Sequence, residues 1–220
     1  MKYRSAFDII GPIMIGPSSS HTAGAARIGR IARKIFGSQP KKAKISLFGS
    51  FAKTYRGHAT DVAIVGGLLD FDTYDERIPQ SFKLAEDVGM EVDFIIEDSV
   101  TSHPNTVKIN LNDDKKDLEL VGVSIGGGMV EIIELNSFKL KLSGESPAIL
   151  VVHIDQFGVV SAVTSELAKE QINISHMEVS RKNKGQIAMM IIEVDEKINE
   201  LTLKKLEALP NITEVIVMVE

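Results

Sequence analysis

"AILVVHIDQFGVVSAVTSELAKEQINISHMEVSRKNKGQIAMMIIEVD", residues 148–195, changes its hydrophobic period twice. "AILVVHID" is a short apolar run rich in β-branched residues and reads as a strand. "VVSAVTSELAKEQ" brings Val160, Val163 and Leu167 to one side of a helix. "INISHMEVSRK" is a second strand, "NKG" a turn and "QIAMMIIEVD" a third strand. The helix "NELTLKKLEAL" and the strand "NITEVIVMVE" complete a βαββαβ order, a ferredoxin-like unit. The first and third strands are nearly continuous apolar runs, which suits strands flanked on both sides. The last strand is apolar on both faces, unusual at a sheet edge, so another element or a second subunit is expected to cover it.

Upstream, "SGESP" (Ser143–Pro147) reads as a linker, dividing the chain into 1–142 and 148–220. From Thr106 to Leu142 the pattern is extended: "TVKINLN", "LELVGVSIGGG", "MVEIIELN" and "FKLKL" are separated by turn residues. Further back, "AARIGRIARKIF" places Ile28, Ile31, Ala32 and Ile35 at i, i+3, i+4, i+7 of a helix ended by Gly37 and Pro40. Arg27, Arg30 and Lys34 occupy another face, either solvated or a subunit contact. "KKAKISLFGS" reads as a strand entering a Gly-Ser turn, and "ATDVAIVGGLLDF" as a helix interrupted by a glycine pair. "QSFKLAEDVGM" is a short helix and "EVDFIIE" a strand. The first part is therefore a mixed α+β (α/β) domain whose sheet comes late.

Composition narrows the function. A net charge of −5 over 220 residues gives no basic footprint for nucleic acid. No apolar run reaches the roughly 20 residues of a membrane span. "MKYRSAFDIIGPIMIGP" is broken by Gly11 and Pro12 and shows no leader cleavage pattern, so a cytoplasmic location is expected. There is no cysteine. That removes both disulfides and the thiolates that an iron-sulfur cluster normally needs.

Four stretches have chemical potential. In "GPSSSHTAGAAR", Ser18, Ser19, Ser20 and His21 open a helix. One serine suffices as an N-cap; three offer hydroxyls and backbone amides to an anion at a positive dipole end. In "GSFAKTYRGHATDVA", His58 precedes Thr60 and Asp61. These two are candidate caps, and a loop histidine titrating near neutrality suits a general base. In "SVTSHPNTVKI", Pro104 restricts His103 to an extended conformation, and Asn105 adds a donor and an acceptor. In "VSIGGGMVEI", Gly126, Gly127 and Gly128 allow either a hairpin connection or close approach to a ligand. His153 and His176 fall in strand patterns and read as structural or partly exposed.

These stretches, in this order, resemble the β chain of bacterial iron-sulfur L-serine dehydratase. "IDQFGVVSAVTSELAKEQINISHMEVSR" resembles the opening of an ACT domain, with Phe157 where most ACT domains have proline. That departure bears on whether the loop of Asp155, Phe157 and Gly158 binds an amino-acid effector. The resemblance implies a two-chain lyase that converts L-serine to pyruvate and ammonia. It also implies a [4Fe-4S] cluster acting as Lewis acid, with its cysteine ligands on a separate α subunit. It implies His58 as the base for the α-proton, with His21 as second candidate for base or substrate ligand. Ser18, Ser19 and Ser20 would hold the substrate carboxylate or line the pocket. His103, Asn105, Thr60, Asp61 and Gly126 to Gly128 would complete it, and the ACT domain would pair subunits. The N-terminal part also resembles the allosteric substrate-binding domain of some D-3-phosphoglycerate dehydrogenases, which implies an alternative: a free-standing sensor of anions or amino acids.

Overall fold

The computed structural model describes residues 12–218. Residues 1–11 of the stretch read for a leader, and the end of the predicted last strand at 219–220, lie outside that range. The chain divides between Asn136 and Ser137 into two compact units.

In the first unit, a π-helical turn, Ser19–Ala23, runs directly into helix α1, Gly24–Phe36. Strand β1 (Lys42–Phe48) is followed by helices α2 (Gly49–Thr54) and α3 (Thr60–Leu68), a 3-10 turn and helix α4 (Ser81–Asp87). Strands β2 (Glu91–Glu97), β3 (Thr106–Asp113), β4 (Lys116–Gly126) and β5 (Met129–Leu135) complete the unit. Within it the strands are ordered β2-β1-β3-β4-β5. β1 pairs parallel with β2 and antiparallel with β3. The period of two is plain in β1, where Ala43, Ile45 and Leu47 are buried while Lys42 and Lys44 are exposed.

The predicted stripe of α1 faces the core: Ile28, Ile31, Ala32 and Ile35 are all buried. Gly37, at φ 73°, ends the helix and donates to Arg33 O and Lys34 O. The glycine pair that interrupts the α3 pattern has a packing reason. A Cβ on Gly67 would lie 2.1 Å from Ala26 O, and one on Gly29 would lie 2.4 Å from Ile64 O. α1 and α3 thus approach backbone to backbone, and only glycine fits on either side. The basic face is a correction. Arg27 Nη1 donates to Gly128 O at 2.9 Å, Arg30 bridges Asp70 and Asp72, and Lys34 is engaged as well. It is therefore not simply solvated.

Two local expectations also change. Gly49 and Ser50 do not form a turn after β1; they open α2. Neither Thr60 nor Asp61 caps α3: the cap position is Ala59, at φ 53°.

The second unit holds β6 (Phe138–Leu142), β7 (Ala148–Ile154), α5 (Val159–Lys169), β8 (Ile174–Arg181), β9 (Ile187–Val194), α6 (Glu200–Glu207) and β10 (Ile212–Met218). Its four-stranded antiparallel order is β10-β7-β9-β8, the ferredoxin-like arrangement. β7 and β9, the apolar runs, are the two central strands. On one face Ile149, Val151, Met190 and Ile192 meet Val163, Leu167 and Leu206 of the helices. On the other face Leu150 and Ile191 are fully buried. Lys141 N of β6 donates to Glu178 on that face, and Ser143 N and Oγ donate to Glu193. His153 is buried, with Nδ1–H donating to Ile154 O, whereas His176 is exposed.

Candidate functional site

The row of serines divides its tasks. Ser18 alone is the N-cap, its Oγ accepting from His21 N at 3.1 Å. Ser20 Oγ lies 3.0 Å from His21 Nδ1 and 3.4 Å from Ser18 Oγ. Ser19 makes no side-chain hydrogen bond among the described residues. The π-helical turn that carries them is rare and concentrates at functional sites.

His21 is the hub. Its Nε2 lies 2.9 Å from Ser50 Oγ in the first turn of α2. Its ring meets Phe51 edge-on at 5.4 Å and His58 edge-on at 5.0 Å, with an 84° interplanar angle. Burial, and secondly the charge of His58, lower its pKa below the usual histidine value, so it favours the neutral form. Thr22 Oγ1 donates to His58 O at 2.9 Å, which ties the second loop to the first. By contrast, no hydrogen bond engages either ring nitrogen of His58 among the described residues, and its Nδ1 is buried without a partner.

The third loop joins through backbone. Ser50 N donates to Pro104 O at 2.7 Å. Asn105 N donates to His103 Nδ1 at 3.1 Å, and Asn105 exchanges bonds with the Ser124 backbone on β4. Ser124 Oγ is buried and unpartnered, set where a Cβ on Gly24 would come within 2.2 Å. The three glycines form the β4–β5 hairpin turn, with φ of 107°, 62° and 83°. Gly128 is held by Arg27, so the turn is fixed to α1.

The structure therefore links Ser18, Ser20, His21 and His58, and ties the loop of His103 and Asn105 to the first turn of α2 through Pro104 O. Thr60 points inward, with 0% exposure. Asp61 accepts from its own neighbour, Val62 N, and bonds to no other candidate. Ser50 and Ser124 were not among the sequence candidates. For Ser124 a signal existed: a polar residue in phase with Leu118, Leu120 and Gly122 on the core side of β4.

In the second unit, the loop before α5 is closed on itself. Asp155 Oδ2 accepts from Gly185 N at 2.9 Å and Arg181 Nη1 at 2.8 Å, which together hold the carboxyl below its ordinary range. Gly158 takes φ 88° as the cap of α5, and Phe157 is 96% exposed.

A serine dehydratase beta chain family model matches residues 5–134, more than half of the chain. The chain belongs to the serine dehydratase beta chain family. An ACT domain model matches residues 148–211. The "Probable L-serine dehydratase, beta chain" of Bacillus subtilis is 61% identical over 215 residues, 98% of each chain. The "L-serine dehydratase, beta chain" of Peptoniphilus asaccharolyticus is 39% identical over 198 residues, 89% of each. A D-3-phosphoglycerate dehydrogenase of Methanocaldococcus jannaschii is 30% identical over 126 residues, 56% of this chain and 24% of that protein. The residues of this chain do not fit an iron-sulfur cluster: there is no cysteine, and no group of three or more histidines and carboxylates able to hold a metal among the described residues. No helix among them is long and apolar enough to cross a membrane.

Proposed function

We propose that this chain is the β subunit of a cytoplasmic L-serine dehydratase, an L-serine ammonia-lyase that forms pyruvate and ammonia together with a separate α chain. The observation that carries the reading most is its relatedness, along nearly its whole length, to proteins named as dehydratase beta chains. A [4Fe-4S] cluster, if used, belongs on the α chain, and the ACT domain is the expected site of subunit pairing.

What this chain contributes is proton chemistry and substrate positioning. His58 takes the α-proton of serine. Among the described residues its ring nitrogens make no hydrogen bond, whereas both nitrogens of His21 are engaged by serines. With His21 favoured neutral, a proton arriving at His58 meets no second positive charge across the ring contact. Loss of the α-proton and of the β-hydroxyl as water leaves an enamine, which tautomerises and hydrolyses to pyruvate and ammonia without further catalysis. The free hydroxyl of Ser19 and the positive end of α1 suit the substrate carboxylate. His103, Asn105 and the Gly126–Gly128 turn frame the pocket. Thr60, its hydroxyl buried without a partner, and Asp61, which accepts from Val62 N, follow the histidine loop at the start of α3 and complete the pocket. In the ACT loop, Asp155 and Gly158 serve structure, and Phe157 is the one member free to meet an effector.

An anaerobic serine-to-pyruvate assay tests the reading, with this chain alone and then assembled with its α chain. Activity in the pair only is expected. A well-assembled pair inactive on serine would instead favour an anion-sensing module, the reading that the D-3-phosphoglycerate dehydrogenase match supports.

A further inference from the structure

We infer that Ser50 is a positioning residue that fixes the tautomer and orientation of His21 for the dehydration; the catalytic half of this inference rests on the dehydratase reading above. Ser50 is itself held from three directions. Its N–H donates to Pro104 O at 2.7 Å, its carbonyl accepts from Thr54 Oγ1 at 2.8 Å, and its Oγ meets His21 Nε2 at 2.9 Å. Gly49 makes this placement feasible. It sits at φ 55°, and a Cβ there would lie 2.6 Å from Pro104 O. The chain thus leaves β1 through a conformation that favours glycine, bringing one hydroxyl against one imidazole nitrogen.

The other side of the ring is held as well. Ser18 Oγ accepts the His21 backbone N–H and lies 3.4 Å from Ser20 Oγ, which lies 3.0 Å from His21 Nδ1. Both ring nitrogens thus face a hydroxyl, and a neutral imidazole donates at one and accepts at the other. The two hydroxyls hold His21 from both sides in a single tautomer, which presents a fixed edge to His58.

Imidazole nitrogen and proton NMR on the full chain reads this without activity. In the parent, His21 should show mostly one tautomer. Ser50→Ala keeps the backbone bond to Pro104 and should shift His21 toward a tautomer mixture with an altered titration, while Ser50→Thr should restore the parent signature. In the assembled enzyme, Ser50→Ala should lower kcat by about tenfold or more with KM little changed, and Ser50→Thr should recover most of it. An unchanged His21 tautomer and titration in a folded Ser50→Ala chain would overturn the inference. So would a shifted tautomer with full turnover in the pair. An assembled parent enzyme inactive on serine counts against the dehydratase reading instead, and the NMR comparison still decides whether Ser50 governs His21.

Discussion

At the entry to α1, among the described residues, the Ser19 hydroxyl and both ring nitrogens of His58, which meets His21 edge-on, make no hydrogen bond. At the entry to α5, Asp155 is closed onto Arg181 and Gly185. Both loops lead into a helix, and both were candidate ligand sites. One keeps polar groups in reserve around a fixed hub; the other spends its only carboxylate on the neighbouring hairpin and leaves a bare aromatic ring outside. The difference shows what separates a binding surface from a well-made turn. Buried polar groups in a turn find partners, and a group without one is either costly or waiting for a ligand.

The comparison can be broken at several strengths. The largest effect falls on His58. His58→Ala in the assembled enzyme should lower turnover by about 10²–10⁴-fold, the usual share of a general base; a rate near the parent's would remove it from that role. Next is the scaffold under the first loop. Gly67→Ala forces a methyl group onto the α1 backbone and should cost about 1–3 kcal/mol in urea unfolding. An unchanged midpoint would mean the two helices separate easily, and the loop geometry would lose its rigid base. Ser19→Ala should raise the KM for serine several-fold, about 1 kcal/mol of uniform binding, with kcat little changed; an unchanged KM would make the serine row a cap and nothing more.

The smallest effects are in pH. His21 has a folded pKa below its ordinary value of 6.5. The unfolded chain therefore binds the proton first as pH falls. The contribution of His21 is complete above about 6.5 and declines as pH drops toward its folded value. Replacing His21 by glutamine should flatten stability over that interval, and a slope equal to the parent's would contradict its burial. Asp155 works lower down. Its carboxyl is depressed by Gly185 and Arg181, so its contribution is present above about 3.8 and is lost as pH falls through its own depressed range. Asp155→Asn should differ slightly from the parent near neutrality and not at all in strong acid.

Much of this was legible in the sequence because periodicity reports burial directly. The α1 stripe and the βαββαβ order are patterns of which side chains leave water, and both appear as read. The serines and His21 announced themselves by being more polar groups than one cap requires. Ser50 did not, because "FGS" after a strand resembles an ordinary turn. Its meaning comes from Gly49 and Pro104, which are 55 residues apart and meet only in the fold. The internal partners of the basic face of α1 were hidden for the same reason: Asp70, Asp72 and Gly128 are distant in sequence and no local pattern shows them. The glycine pair in α3 looked like a weakness in a helix and is the surface on which α1 rests.

The proposed division of labour puts proton chemistry on this chain and the cluster on its partner. Iron and sulfide content after anaerobic cluster reconstitution decides it, measured on this chain alone, on the pair, and on a pair carrying both His21→Ala and His58→Ala. The prediction is no cluster on this chain, a cluster on the pair, and the same cluster content when both histidines are gone but turnover is lost. A cluster on this chain alone, or one that disappears with the two histidines, would contradict it.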